Sequence, residues 1–456
     1  MTHPEGRLVT IIPFVDEGLG NSSYLVDVGD GRALVVDPIR DITTYVRSAD
    51  EHGLRVAYSL ETHLHADFVS GSRELARLGA SVLAPRAGRI QFSHSGLGDG
   101  EEVDLGGLML RAIGTPGHTP EHLGYVLVDG ETPVALFSGG ALIPGGVART
   151  DLIADDQTEP LARSLFWALH ERVLVLPDDL PVYPTHGAGS FCSTPSAGER
   201  TTTIGRERAT NPLLAAASED EFVDRLHGGL GSYPTYFRRL REINRLGPNV
   251  FGHPPTLSLL SVEDVARGIE AGAELVDVRP IEAFAAGHLA GSLSIALRPA
   301  FASWLGWLVA PDRPLIFVLD PEQDRNDLVR QALGIGYERL EGELAGGIEA
   351  WAASGRPIAT TALTTKPDPG GLPLVDIRQI SEHRTGHVPG ALSVELGDLA
   401  GSAISDLPSD ALFMCGHGER AMTAASLAQR AGHGAAVFVG GPRDWSRQTG
   451  NALLRG

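Results

Sequence analysis

Two groups of residues have the types and spacing for chemistry. The first is Cys415-Gly416-His417-Gly418-Glu419-Arg420. An apolar run, Leu412-Phe413-Met414, delivers the thiol to a two-glycine loop, and a helical pattern begins at Arg420. A cysteine at a helix mouth meets unpaired N–H groups and the positive end of the helix dipole, which favour a sulfur anion, the nucleophilic form. The glycines let backbone N–H groups approach a bound anion. Arg420 can grip an oxyanion as a fork. The loop therefore predicts nucleophilic sulfur chemistry, with Cys415 and Arg420 catalytic and Gly416, His417, Gly418 and Glu419 binding sulfur or an anion. Cys-x5-Arg phosphatase chemistry needs one more residue between Cys415 and Arg420.

The second group is His63-Leu64-His65-Ala66-Asp67, following the strand-like Val56-Ala57-Tyr58-Ser59-Leu60. Alternate residues of an extended segment point the same way, so His63, His65 and Asp67 can face one point. Imidazole and carboxylate ligands suit zinc or iron(II). His118 in Gly114-Thr115-Pro116-Gly117-His118-Thr119-Pro120 and His186 in Thr185-His186-Gly187 join them as candidate ligands. Cys192 follows closely. It reads first as a small buried residue, with an accessory thiol that relays sulfur as the alternative.

Elements must hold these residues. The first ~250 residues alternate short apolar runs with helical patterns, as an α/β layered domain does. A helix after Asp67 should carry Leu75 and Leu78 on one face, and Val182-Tyr183-Pro184 should be a strand. The second half repeats itself. Leu275-Val276-Asp277-Val278-Arg279 recurs as Leu374-Val375-Asp376-Ile377-Arg378, and Gly287-His288-Leu289 recurs as Gly386-His387-Val388. The expected domains are 1–250, 256–360 and 371–456, with the Pro/Gly/Thr-rich stretch from Thr360 to Gly371 as a linker. The first repeat has Leu319-Asp320-Pro321-Glu322-Gln323-Asp324 where the second has its cysteine loop, so it cannot hold a persulfide.

The whole chain has 456 residues and a net charge of −20, with 42 % hydrophobic and 21 % charged residues. Such an acidic surface argues against nucleic acid and anionic lipid as partners. No apolar run is long enough to span a membrane, and Met1 to Arg7 lack the pattern of a signal peptide. A cytoplasmic location is the expectation, with Cys192 and Cys415 as thiols. The oligomeric state is open.

The Cys415 loop and its flanking repeat resemble the rhodanese sulfurtransferases, Cys-x-x-Gly-x-Arg, in which the cysteine carries a sulfane sulfur as a persulfide. Thr62-His63-Leu64-His65-Ala66-Asp67, Gly145-Gly146-Val147-Ala148-Arg149-Thr150-Asp151 and His186-Gly187-Ala188-Gly189-Ser190-Phe191-Cys192 resemble the metallo-β-lactamase superfamily. More narrowly, they are similar to persulfide dioxygenases fused to rhodanese domains. The resemblance implies an α/β chain: an αββα sandwich followed by two α/β rhodanese-like domains, the first inactive. It also implies a mononuclear iron(II), held by two histidines and an aspartate, that activates O2 to oxidise a thiol-bound persulfide, typically glutathione persulfide, to sulfite. Partners would be low-molecular-weight thiols, their persulfides and thiosulfate. Two positions depart from the pattern: Phe68 stands for a histidine and Gly140 for the aspartate of the iron triad. Iron(II), zinc held by His63, His65 and His118, and no metal all stay open. Asp67 could orient a water and Asp151 could swing in as a ligand. A glyoxalase II-type zinc hydrolase and a non-catalytic sulfur-binding protein are the competing readings.

Overall fold

The computed structural model describes residues 9–194, 198–367 and 370–456. The N-terminal heptapeptide and positions 368 and 369 of the expected linker lie outside them. The chain divides into two compact units, one of Met1–Pro254 with Leu333–Gly336, the other of Pro255–Ala332 with Tyr337–Gly456.

The first unit contains two six-stranded sheets. One holds Ile11–Asp16, Asn21–Gly29, Arg32–Val36, Arg55–Leu60, Ser81–Pro85 and Ser95–Leu97 in chain order. The other runs from Thr202–Thr203 through Pro181–Pro184, Thr132–Gly139, Leu123–Asp129 and Met109–Gly114 to Glu102–Asp104. Strand periodicity sends alternate side chains to opposite faces. Leu34 and Val36 therefore join Leu60, Tyr125 and Phe137 between the sheets, while Ala33 and Val35 pack against Tyr45 and Ala49 of the helix Thr43–Glu51. The outer face of the second sheet buries Val126, Leu136 and Val182 against Leu165 and Phe222 of two further helices. The layers are helix, sheet, sheet, helix. One expectation fails locally: Leu75 is buried, but Leu78 is 53 % exposed, because its helix ends at Arg77 and Leu78 is the C-cap.

The second unit contains two all-parallel five-stranded sheets of the same topology. The first is ordered Leu259–Leu260, Leu340–Leu344, Leu315–Val318, Glu274–Asp277, Leu293–Ser294. The second is ordered Ala362–Thr364, Gly434–Phe438, Asp410–Met414, Leu374–Asp376, Leu392–Ser393. The sequence repeat is thus a structural one. Central strands of parallel sheets are covered on both faces and read as continuous apolar runs, as Leu315-Ile316-Phe317-Val318 does. The expected linker from Thr360 to Gly371 is corrected here. Its Ala362–Thr364 is an edge strand, paired with Ala436–Phe438, because parallel backbone pairing tolerates a composition that reads as loop.

The helix Glu419–Arg430, which starts at the cysteine loop, rests on the first of these domains. Ser294 N donates to Ser426 Oγ at 3.1 Å, Arg430 Nε donates to the Gly291 carbonyl at 2.6 Å, and Arg430 pairs with Glu274.

Candidate functional site

The strand Asp410–Met414 ends at Cys415, which is 1 % exposed. Its Sγ accepts the Gly418 N–H at 3.2 Å. Gly418 has φ 115°, a left-handed conformation that only glycine adopts freely, and the helix Glu419–Arg430 begins immediately after it. The space around Gly418 is closed: an added Cβ would lie 2.8 Å from Cδ1 of Ile281, a residue of the neighbouring repeat. Gly441 approaches from the other side, where a Cβ would come within 2.9 Å of the Cys415 carbonyl oxygen. Beside the loop lies a cavity of about 1000 Å³ whose walls include Gly416, His417, Glu382, Arg443 and Arg455. Arg420 is not free to face it. Its guanidinium forms a two-pronged ion pair with Glu382, one prong at 2.8 Å. Burial pushes the Glu382 carboxyl up, yet Arg420 prevails and holds it below its ordinary range.

The equivalent loop of the first repeat is built differently. Strand pairing aligns Val318 with Met414, since each is opposite the aspartate of its own domain, Asp277 or Asp376. Leu319 thus occupies the place of Cys415. After it the loop presents carbonyls to one guanidinium: Arg325 donates to the oxygens of Asp320, Pro321 and Gln323 at 2.8, 2.9 and 2.6 Å. Glu343 holds the other side of Arg325 at 3.0 Å.

The histidine group of the first unit is buried throughout, with His63, His65, His118, His186 and Asp67 all at 1 % exposure or less. Strand ends deliver it: His63 follows Arg55–Leu60, His118 follows Met109–Gly114 and His186 follows Pro181–Pro184. His63 and His186 meet with their Nε2 atoms 3.3 Å apart. His118 packs edge-on against both, with ring centroids 4.8 Å from His63 and 5.1 Å from His186. His118 Nε2 has no hydrogen-bond partner, and neither does Asp67 Oδ1 or His65 Nδ1. Burial, reinforced by the neighbouring imidazoles, drives His118 and His186 down to about 3, so both rings are neutral. His65 differs. Its Nε2 lies 3.1 Å from both Asp37 and Glu61. Burial opposes its charge, but these carboxylates raise it to about 10. Phe68 stacks on the His65 ring at 4.2 Å.

Four positions resolve questions left by the sequence. Asp151 is gripped by Arg149 at 2.6 and 2.7 Å and does not turn toward the histidines. Asp67 Oδ2 accepts Asn21 Nδ2 at 2.7 Å. Gly140 offers only its backbone, and its N–H donates to His122 Nε2 at 2.9 Å. Cys192 is fully buried, and its sulfur groups with nitrogens of His118 and His186, all within 4.8 Å of one another. Burial, with Asp67 adding to it, pushes its thiol well up.

Sequence reasoning passed over Asp37, which accepts from Thr62 N, Thr62 Oγ1 and Thr185 and fastens the histidine loop to the end of the second sheet. It also passed over Asn21, His122 and the Glu382 that occupies Arg420. Asp37 had a signal, an acid directly after the buried run Ala33-Leu34-Val35-Val36. Glu382, 38 positions from Arg420, had none.

Residues 261–354 and 360–448 each match the rhodanese-like domain family. The chain is 33 % identical over 208 residues to the human mitochondrial persulfide dioxygenase ETHE1, an alignment that takes 44 % of this chain and 74 % of that protein. It is 30 % identical over 235 residues to a hydroxyacylglutathione hydrolase of Acidiphilium cryptum, covering 48 % of this chain and 94 % of that one. A solved metallo-β-lactamase from Staphylococcus aureus superposes with a TM-score of 0.65 at 28 % identity, over 74 % of this chain and 99 % of that chain.

Proposed function

Because the chain belongs to the metallo-β-lactamase-fold family of the persulfide dioxygenases and carries two rhodanese-like domains, we propose that it is an enzyme of sulfane-sulfur metabolism whose transfer step runs through Cys415. We divide it into a metallo-β-lactamase-like domain over 1–250, an inactive rhodanese-like domain over 256–360 and an active one from 371 onward, the strand Ala362–Thr364 included. The observation that carries this reading is the Gly418 N–H directed at Cys415 Sγ at 3.2 Å.

The step is a displacement at sulfur. The Cys415 thiolate attacks the outer sulfur of a persulfide R–S–SH. A Cys415 S–S bond forms, the donor's S–S bond breaks, and RS⁻ leaves. With thiosulfate as donor the leaving group is sulfite. A second thiolate then takes the outer sulfur and regenerates Cys415. Loop N–H groups stabilise the sulfur anion at each stage. Arg420, held by Glu382, positions the loop, while Arg443 and Arg455 on the cavity wall face an incoming anionic donor or acceptor. Low-molecular-weight thiols and their persulfides are the partners this supports.

No oxidation step is assigned to the first domain. The resemblance calls for iron(II) held by His63, His118 and a carboxylate at position 140. Gly140 supplies no ligand atom, and a Cβ there would lie 2.8 Å from Ala148 Cβ and 3.0 Å from the His118 ring. The Ala148 methyl and the His118 ring close on the space a side chain there needs, so the residues present do not fit that triad. Likeness to the hydroxyacylglutathione hydrolase keeps a thioesterase reading alive, and S-lactoylglutathione hydrolysis by the full chain tests it.

Intact-protein mass spectrometry after exposure to thiosulfate or glutathione persulfide tests the transfer reading. One cyanide-labile sulfur atom on the peptide containing Cys415 is the expected result. Sulfur on no peptide, or on Cys192 alone, overturns it.

A further inference from the structure

Transfer to or from a thiol moves a proton as well as a sulfur. The attacking form is the thiolate, yet an ordinary thiol has a pKa of about 8.5 and arrives mostly protonated at neutral pH. Each time a thiol unloads Cys415, the incoming sulfur must lose a proton. Each time a persulfide loads Cys415, the departing RS⁻ must gain one. Thiosulfate and sulfite react as anions and need no such proton.

The cavity beside the loop is walled in part by Gly416 and His417, the two residues that follow Cys415. Among the described residues, the side chains of that wall able to exchange a proton in the acidic-to-neutral range are Glu382, Asp444 and His417. Glu382 is committed to Arg420, which also holds its carboxyl below the ordinary range. Asp444 accepts the Gly441 N–H at 2.8 Å and pairs with Arg447. The Gly441 N–H first, then Arg447 and His417, hold its carboxyl below the ordinary range as well. Both acids are therefore too weakly basic to take a proton from a thiol. The arginines of the wall, Arg378, Arg443, Arg447 and Arg455, never release theirs. His417 is left, an exposed residue within electrostatic reach of the Asp444 carboxylate. Imidazole is the side chain suited to passing protons near neutral pH.

Resting on the sulfur-transfer reading, we infer that His417 is the proton-carrying catalytic residue of the thiol half-reactions. On unloading, a thiol R–SH enters from the cavity and the His417 imidazole takes its proton. The thiolate attacks the outer sulfur of the Cys415 persulfide, which stands about 2 Å beyond Sγ. The new S–S bond of R–S–SH forms, the Cys415 S–S bond breaks, and Cys415 returns as thiolate beside an imidazolium. On loading, the imidazolium gives that proton to the RS⁻ displaced from R–S–SH. One load and one unload thus restore both residues to their starting states. The Asp444 carboxylate favours the imidazolium that links the two. Transfer between thiosulfate and sulfite bypasses His417.

His417→Gln in the full chain tests this, with thiosulfate as the donor and two acceptors compared. Transfer to glutathione should fall by roughly the 10²–10⁴-fold that general acid–base catalysis contributes. Exchange of isotopically labelled sulfite into thiosulfate should fall far less. Raising the pH should narrow the variant's deficit toward glutathione relative to wild type, because glutathione then arrives as the thiolate and needs no base. Equal losses with the two acceptors, a deficit that pH does not narrow, or glutathione transfer at the wild-type rate overturns the proposal. Wild-type protein that exchanges no labelled sulfite would instead remove the transfer reading on which the proposal rests.

Discussion

The loops at Leu319 and Cys415 share a fold and invert its polarity. Both follow a central strand of a parallel sheet and both lead into a helix, Arg325–Gly334 or Glu419–Arg430. Their frames match in detail. Asp277 pairs with Arg279 and Asp376 with Arg378, each at 2.6 Å, and each arginine also donates to a glycine carbonyl, Gly287 or Gly386. The loop interiors do not match. The Cys415 loop turns an N–H onto a buried sulfur, whereas the Leu319 loop turns carbonyls onto the partly exposed Arg325 guanidinium. One loop offers a donor to an anion and the other is already engaged by a cation. The two loops thus differ in the arrangement of their backbones as well as in the thiol.

This contrast can be broken by experiment. The largest effect is expected from Cys415→Ser, which should abolish thiocyanate formation from thiosulfate and cyanide. Residual turnover would mean that the inward N–H serves something other than this sulfur. Adding a thiol to the other loop, Leu319→Cys in the Cys415→Ser background, should restore no activity, because the loop carbonyls are already turned onto Arg325 and Asp320, Glu322 and Asp324 follow the new thiol where an anionic donor would bind. Recovery of transfer would show that the loops differ only in the thiol.

Gly418→Ala should come next, with kcat lowered on the order of tenfold to a hundredfold, an added barrier of about 1.4–2.7 kcal/mol. It strains a left-handed backbone and drives a methyl against Ile281. Adding Ile281→Ala should recover part of the loss, and a double-mutant cycle measures the coupling. Strictly additive changes would deny the neighbouring repeat any part in shaping the active loop.

Arg325→Ala should leave transfer at Cys415 unchanged and lower the unfolding free energy of the second unit by about 1–3 kcal/mol, since carbonyls lose a charged donor. Denaturant titration checks this. The smallest effect is that of Glu382→Gln, a change of a few-fold in KM for thiosulfate. Its acid limb carries the sign. The Glu382 carboxyl is held below its ordinary range, so the stabilisation from its pair with Arg420 is present above the unfolded carboxylate range and is lost as pH falls through the depressed value. Glu382→Gln should flatten that limb of a pH–stability profile, and an unchanged profile would count against the ion pair.

The chemistry-bearing residues were legible in the chain itself because local pattern carries them. A thiol at a strand–helix turn, alternating histidines after an apolar run and a repeat of about 100 residues need no tertiary information. They indicated the layered α/β fold, the two related domains and the loss of the thiol at Leu319. Partners distant in sequence were another matter. Glu382 reaches Arg420 across 38 residues, Asn21 reaches His186 across 165, and neither lies in a pattern. The polarity of the Leu319 loop was equally hidden, because the peptide orientations that turn carbonyls onto Arg325 follow from packing and leave no mark on residue types. The sequence determined which atoms are present to hold sulfur or metal. Only the tertiary structure decided which are free to do so, because hydrogen-bond and ion-pair partners are allotted by position in space.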